Sequence, residues 1–559
     1  MQSAADNLPI GRRIILLLGP PGSGKSEFLK YVKHSLEDYT KTDNGALFAI
    51  ADCPMHETPL HLIPSELRDQ FQNETGIKIE GTLCPHCQVK HGGEPGKILD
   101  VPVKRIFLAE QDRMGICTYK PGDPKGLEMA DLIGEVNIPM LAEVGDSSDP
   151  RVFNLNGELE QANAGVMELV EFFKLPNDFL HMFLDLAQDK QIKAPRFPNI
   201  YTDTVLIAHT NQAEYDQWVK QAKNEGLKDR VFVIPFPYNL RISDEIRIYE
   251  KLIRQSDMEH RAKKRGAKHL VAPHTLEHTA LFAALTRITD SARGYGKMAK
   301  ARIYDGKLQE GVNASEAAEV AREFDREGMT GISPRYVIDQ ISLALNTKKG
   351  DACLTPIEAL VALQNGIDSH PHTRDMDKKQ KEEIRGLIAA ARTEYDKMVI
   401  EEVKEAFVPA FASHAKSLVE RYLHQLDRLL GSKTKEYDPL TQAEIPIDEK
   451  FMRSIEEQIS ILESGKGEFR QLVWNRYAAA FYRGEVFDYK TYKPLRDALE
   501  IRITSELRNI IRSTITSPSP NSDERKKLDE VENYLVQEKG YCPHCAQELM
   551  RYASTLFNK

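Results

Sequence analysis

The stretch Gly19-Pro20-Pro21-Gly22-Ser23-Gly24-Lys25-Ser26 constrains this chain more than any other. It follows the apolar run Ile14–Leu18 and precedes a helical pattern over Ser26–Leu36. In Gly-x-x-x-x-Gly-Lys-Ser the glycines let successive backbone N–H groups curl around an anion, and the following helix N-terminus adds partial positive charge. Lys25 is placed to reach the β and γ phosphates of a nucleotide, and the Ser26 hydroxyl to ligate magnesium. Strand, loop and helix in that order make a chance glycine turn the weaker reading.

Four further apolar runs end at turn or polar residues and read as buried strands: Leu47–Ala51, Val166–Val170, Thr204–Ala208 and Val231–Ile234. Helical patterns such as Asp178–Gln188 separate some of them, and this alternation predicts a parallel α/β sheet flanked by helices. Residues 52–163 are too many for a simple crossover and read as an insertion. That insertion is rich in Pro and Gly, with small strands of its own at Val103–Leu108 and Gly115–Tyr119. Beyond Pro237 the pattern turns helical, as at Ile384, Leu387, Ile388, Ala391, Tyr395 and Met398. Gly431–Pro446 reads as a linker or extended arm and Thr516–Asp523 as a flexible loop.

At 559 residues the chain is long enough for several domains. Its net charge of −9 argues against bulk affinity for nucleic acid or anionic membranes. The basic run Arg261–Lys268 reads as a solvated face. No apolar stretch reaches the length of a membrane span, and Met1–Arg13 lacks the apolar core of a signal peptide. Seven cysteines, an odd number in so long a chain, fit a reducing cytoplasm.

An ATPase also needs an acidic strand end to hold magnesium and orient water. The stretch Gly157-Glu-Leu-Glu-Gln-Ala-Asn-Ala-Gly165, followed by Val-Met-Glu168-Leu-Val-Glu171, resembles the AAA+ class and its branch of bacterial enhancer-binding ATPases. Those proteins end the strand in Asp-Glu, whereas here Val170 precedes Glu171. Glu171 is then the water-orienting base, and either Glu168 supplies the missing magnesium contact or the metal relies on Ser26 and water. The resemblance implies three more roles. Asn211 is similar to sensor 1, Arg230 to an arginine finger acting across a subunit boundary, and Arg335 in Gly331-Ile-Ser-Pro-Arg to sensor 2.

A narrower resemblance is to the PrkA family of bacterial AAA+ proteins with an assigned serine protein kinase activity. Cys53-Pro-Met-His-Glu57, Pro59-Leu-His-Leu-Ile-Pro64, Asp123-Pro124, Gly145 to Arg151 and Val271-Ala-Pro-His-Thr-Leu276 carry it. So do Met298 to Gly306, Gly328-Met-Thr-Gly331 and Met452-Arg-Ser-Ile-Glu-Glu-Gln458. Members of that family have a further helical segment ahead of the loop, where this chain has 18 residues. The resemblance implies an AAA+ core over residues 1–237, a helical lid over 238–350 and an all-helical C-terminal domain over 351–559. It also implies ATP and magnesium as cofactors, a protein substrate and a ring of copies, hexameric in the first instance. The residues themselves show no His-Arg-Asp loop, no Asp-Phe-Gly and no kinase glycine loop, so kinase chemistry rests on the resemblance alone. The competing expectation is a ring ATPase that remodels, unfolds or degrades partner proteins.

Cys84-Pro-His-Cys87 and Cys542-Pro-His-Cys545 are knuckles of the kind that grip structural zinc through paired thiolates. Each supplies two ligands, so either the two pairs meet or His91 and Cys117 complete the first; a redox pair is the other reading. His56-Glu57-x-x-x-His61 has one residue too many for a zincin, and Pro59 interrupts the helix it would need.

Overall fold

The computed structural model describes residues 12–92, 95–120, 129–146, 149–193, 198–258, 260, 264, 269–307, 314–348, 353–431, 435–438, 443–459, 461–483, 487–502, 505 and 522–557. The chain divides into two compact units, one of residues 1–241 and 286–335 and one of 242–285 and 336–559. The basic run at 261–268 lies almost wholly outside the described residues, as do Asp123 and Pro124 and most of the segment 516–523.

The first unit is built on five parallel strands. In chain order, the longer strands among its described residues are β1 (Ile14–Leu18), β2 (Leu47–Ile50), β3 (Val103–Ile106), β4 (Ile116–Tyr119), β5 (Gly165–Val170), β6 (Thr204–Thr210) and β7 (Val231–Pro235). The main sheet runs β7-β1-β6-β5-β4, with every neighbouring pair parallel. Ile14, Leu16, Met167, Leu169 and Ala208 are fully buried, as strands covered on both faces require. Helices α1 (Lys25–Thr40), α2 (Asn177–Asp189) and α3 (Gln212–Val219) follow β1, β5 and β6.

One strand assignment is corrected. Leu47–Ile50 does not join the sheet; it pairs antiparallel with β3 in a separate two-stranded ribbon. The fifth strand of the sheet is Ile116–Tyr119, which the sequence pattern assigned to the insertion. Phe48 is solvent-facing on β2, whereas Ile116, Cys117 and Tyr119 are buried on β4.

The start of β5 is held by a close approach. Val166 N donates to the Gly115 carbonyl at 2.8 Å, and a Cβ on Gly165 would sit 1.8 Å from that oxygen. Only glycine allows β4 and β5 to begin pairing there.

The second unit is helical. Helix α4 (Lys378–Leu430) opens on a capping box of Asp377 and Gln380 and runs 53 residues, about 80 Å at 1.5 Å per residue. Ile384, Ile388, Ala391 and Tyr395 are buried along it, as their spacing predicts. Tyr395, Val399 and Val403 pack with Val531, Leu535 and Leu549 of helices α5 (Ser522–Gln537) and α6 (Pro543–Phe557). Further along, Tyr422 and Leu426 form a second core with Met452, Phe469 and Val473. The expected 516–523 loop ends earlier than its pattern suggested, since Ser522 already opens α5. In the expected arm, Tyr437 and Glu444 form an antiparallel bridge.

Gly165→Ala is expected to lower unfolding stability by about 2–3 kcal/mol, since neither backbone can yield easily. Urea unfolding followed by circular dichroism measures it.

Candidate nucleotide site

The C-terminal ends of parallel strands, where the chain turns into helices, are where open α/β sheets bind ligands. Here β1 leads into Gly19–Ser26. Gly19 N donates to Thr210 O at the end of β6, and Phe236 N, just past β7, donates to Leu18 O. Gly22 (φ 82°) and Gly24 (φ 96°) take the left-handed backbone that a wrapping loop needs. Helix α1 has Gly24 as its N-cap with no side-chain cap, and the buried Ser23 Oγ has no partner among the described residues. Uncapped donors around a glycine loop fit a phosphate chain. Ser26 is exposed at the second position of α1.

Lys25 is buried, with Nζ donating to Gly19 O at 2.7 Å and Pro20 O at 2.9 Å. Burial lowers its pKa to about 8; Glu214 opposes the shift and Arg335 adds to it. Arg335 therefore lies within electrostatic reach of Lys25, and its Cγ would stand 3.8 Å from a Cβ on Gly22. Tyr238 Oη donates to Pro21 O at 2.7 Å. The buried Arg287 stacks 4.8 Å over the Tyr238 ring and donates to Asn239 O and Ile332 O, each at 2.8 Å. This brace ties the loop's far side to the segment that carries Arg335.

The two glutamates of β5 differ sharply. Glu168 is buried, its carboxylate taken by His209 Nε2 (3.0 Å) and by Lys33 Nζ. Lys33 also reaches Glu110 Oε1 at 2.5 Å and bonds Thr118. Burial pushes the Glu168 carboxyl up, but the hydrogen bonds from His209 and Lys33 outweigh it and hold it low. Glu171 follows the strand in a left-handed conformation (φ 53°), is part-exposed and pairs with Lys174 at 3.0 Å.

Glu214 is a carboxylate that sequence reasoning missed. It accepts from Thr210 Oγ1 at 2.8 Å, and Lys174 links it to Glu171 at 3.5 Å. Asn211 caps α3 by accepting from Glu214 N at 2.9 Å. The pattern Asn211-x-x-Glu214 reads as a helix start, and that ordinary meaning concealed its position beside Lys25. Arg230, ahead of β7, pairs with Asp185 of the same chain at 2.5 Å. Lys25, Arg335, Glu171, Asn211 and Glu214 are thus gathered about the ends of β1, β5 and β6. Glu168 faces the Lys33 network instead.

Two family models match: one described as the PrkA AAA domain over residues 1–294, the other as the PrkA serine protein kinase C-terminal domain over residues 298–552. The chain belongs to the PrkA family. Its core is a AAA domain, a parallel sheet flanked by helices, with a helical C-terminal region. Among curated relatives, the "ATP-dependent protease PrkA" of Bacillus subtilis (strain 168) is 41% identical, covering 100% of this chain and 86% of the relative. The "Serine/threonine kinase YeaG" of Escherichia coli (strain K12) is 27% identical, covering 97% and 83%. A solved assembly of magnesium chelatase subunits BchI and BchD aligns over 60% of this chain and 94% of its own at 17% identity. Its TM-score is 0.27, too low to bear on fold or chemistry. Among the described residues of this PrkA chain, no helix is long and apolar enough to cross a membrane.

The cysteine pairs of this PrkA chain do not meet. Cys84 and Cys87 gather with Cys53 and Glu57 in the first unit, and Cys542 and Cys545 with Cys353 in the second. His91 and Cys117 belong to neither group; Cys117 is buried on β4. Distant single cysteines supply the third member in each case, which spacing alone does not reveal.

Lys33→Met leaves Glu168 buried with His209 and the weaker Thr118 hydroxyl contact at 3.4 Å, and is expected to cost about 3–5 kcal/mol. Adding Glu168→Leu should recover most of it, as calorimetry would register. Because the Glu168 carboxyl is held low, its contribution is present above the ordinary carboxylate range and is lost as pH falls through its folded value.

Proposed function

We propose that this chain binds MgATP in the Gly19–Ser26 loop, cleaves its β–γ bond with water as acceptor, and uses that turnover to act on a protein partner. What carries the reading is the convergence of Lys25 and Arg335 with Glu171 and Glu214 at one end of the sheet. The loop N–H groups and Lys25 hold the phosphates, and Arg335 offsets charge on the outermost one. Ser26 and the strand-end carboxylates are the residues that would hold magnesium, which when bound neutralises charge on the phosphate oxygens. Glu171 orients the acceptor, sharing Lys174 with Glu214. Glu168, with both oxygens engaged, is assigned to the support of β4, β5 and α1 and not to magnesium.

Arg230 is the residue that would serve a neighbouring copy in a ring, exchanging Asp185 for a phosphate. The relative sharing 41% of residues is named an ATP-dependent protease, which supports water as acceptor and a protein as the object of the work. A second reading, transfer to a protein serine, is supported by the description of the C-terminal family model and by the name of the 27% relative. In either reading the phosphoryl donor sits in the same loop.

The fate of label from γ-labelled ATP, with a casein-type acceptor present, separates the two. Free labelled phosphate, abolished in Lys25→Ala and reduced at least about a hundredfold in Glu171→Gln, is the expected result. Label on acceptor serine, lost in Lys25→Ala, would replace the hydrolytic reading with the kinase one. Glu214→Gln should lower turnover with ATP still bound.

A further inference from the structure

Six of the seven cysteines lie in two triads built to one plan. In the first, Cys53 Sγ is 3.7 Å from Cys84 Sγ, and Cys87 N donates to Cys84 Sγ at 3.4 Å. In the second, Cys353 Sγ is 3.6 Å from Cys542 Sγ, and Cys545 N donates to Cys542 Sγ at 3.3 Å. The same Cys-Pro-His-Cys knuckle therefore meets a third cysteine from 31 residues away in one unit and 189 residues away in the other. Four thiolates around tetrahedral zinc, each about 2.3 Å from the ion, stand about 3.8 Å apart. Both sulfur separations match that spacing and are far beyond an S–S bond of about 2.05 Å.

The first triad contains a group that simple packing of thiols does not explain. Glu57 is 3% exposed, and its carboxylate lies among the three sulfurs, with Oε2 3.9 Å from Cys53 Sγ. His61 Nδ1 stands 2.9 Å from Oε1, and Cys84 N donates to both oxygens at 2.9 and 3.1 Å. All four candidate ligand atoms lie within 4.8 Å of one another. Buried cysteines behave as small hydrophobes, and a carboxylate set among them is costly unless a cation offsets it. His61 and the Cys84 amide are the partners that orient a ligating carboxylate.

We propose that each unit holds its own zinc ion. Cys53, Cys84, Cys87 and Glu57 bind one; Cys353, Cys542 and Cys545 bind the other. Three thiolates, completed by Glu57 in the first site and by a water in the second, select zinc among the common divalent ions. Binding at either site releases the three thiol protons to solvent while Zn²⁺ takes up the thiolates, with no change of oxidation state. In the first unit the ion fastens the turn after β2 to the segment at residues 84–87. In the second it fastens Cys353 to the start of α6, where Tyr541 and Tyr395 also pack.

Zinc content of the full chain, purified without chelator under reducing conditions, should be two equivalents. Cys84→Ser/Cys87→Ser and Cys542→Ser/Cys545→Ser should each retain one, and Cys117→Ser should retain two. Should a double variant fail to fold, cobalt(II) added to the metal-stripped wild-type chain provides the second measurement. Tetrahedral ligand-field bands with thiolate charge transfer at two equivalents are expected. A wild-type chain that takes up neither ion, or whose zinc content is unmoved by both double variants, overturns the proposal. Conversion of the triads to disulfides with no cobalt uptake would also overturn it, in favour of a redox pair.

Discussion

Parallel pairing of β1 with both β6 and β7 brings three chain segments to one end of the sheet, and the candidate functional groups ride on those segments. The loop Gly19–Ser26 leaves β1, Asn211 and Glu214 leave β6, and Phe236 and Tyr238 follow β7. Gly19 N bonding Thr210 O and Tyr238 Oη bonding Pro21 O fix the loop from both sides. Arg287 then carries the constraint onward to Ile332, three residues ahead of Arg335. A cradle that wraps an anion needs its backbone donors held before the anion arrives, and these bonds hold them.

The electrostatics follow from the same placement. Lys25 is buried between carbonyls with Arg335 nearby, so its ammonium is weakened before any phosphate is present. Glu168 sits deeper, where a carboxylate survives only with Lys33 and His209 in place. The division of labour between two glutamates three residues apart is set by depth. Glu168 points into the layer between sheet and α1, while Glu171 lies past the strand end in a left-handed turn and remains part-exposed.

Much of this was legible in the sequence. The motif at 19–26, four of the five sheet strands and the long helix through Tyr395 each carry a strong local pattern. The second sheet strand was not legible because Leu47–Ile50 and Ile116–Tyr119 are both short apolar runs, and only tertiary pairing decides which joins the sheet. Glu214 was hidden by its ordinary place in a helix cap. Cys53 and Cys353 stand alone in the sequence, and their partners are chosen by folding across 31 and 189 residues.

The central claim is that the Gly19–Ser26 loop, with a buried and weakened Lys25, is where ATP binds. Equilibrium affinity for ATP measured from pH 7 to pH 10 tests it most directly. Phosphate raises the ammonium's pKa on binding, so affinity should be flat up to about pH 8 and then fall about tenfold per pH unit, with no such fall in Lys25→Met. An affinity that does not change across that range in the wild-type chain, or that matches in Lys25→Met, would contradict the account.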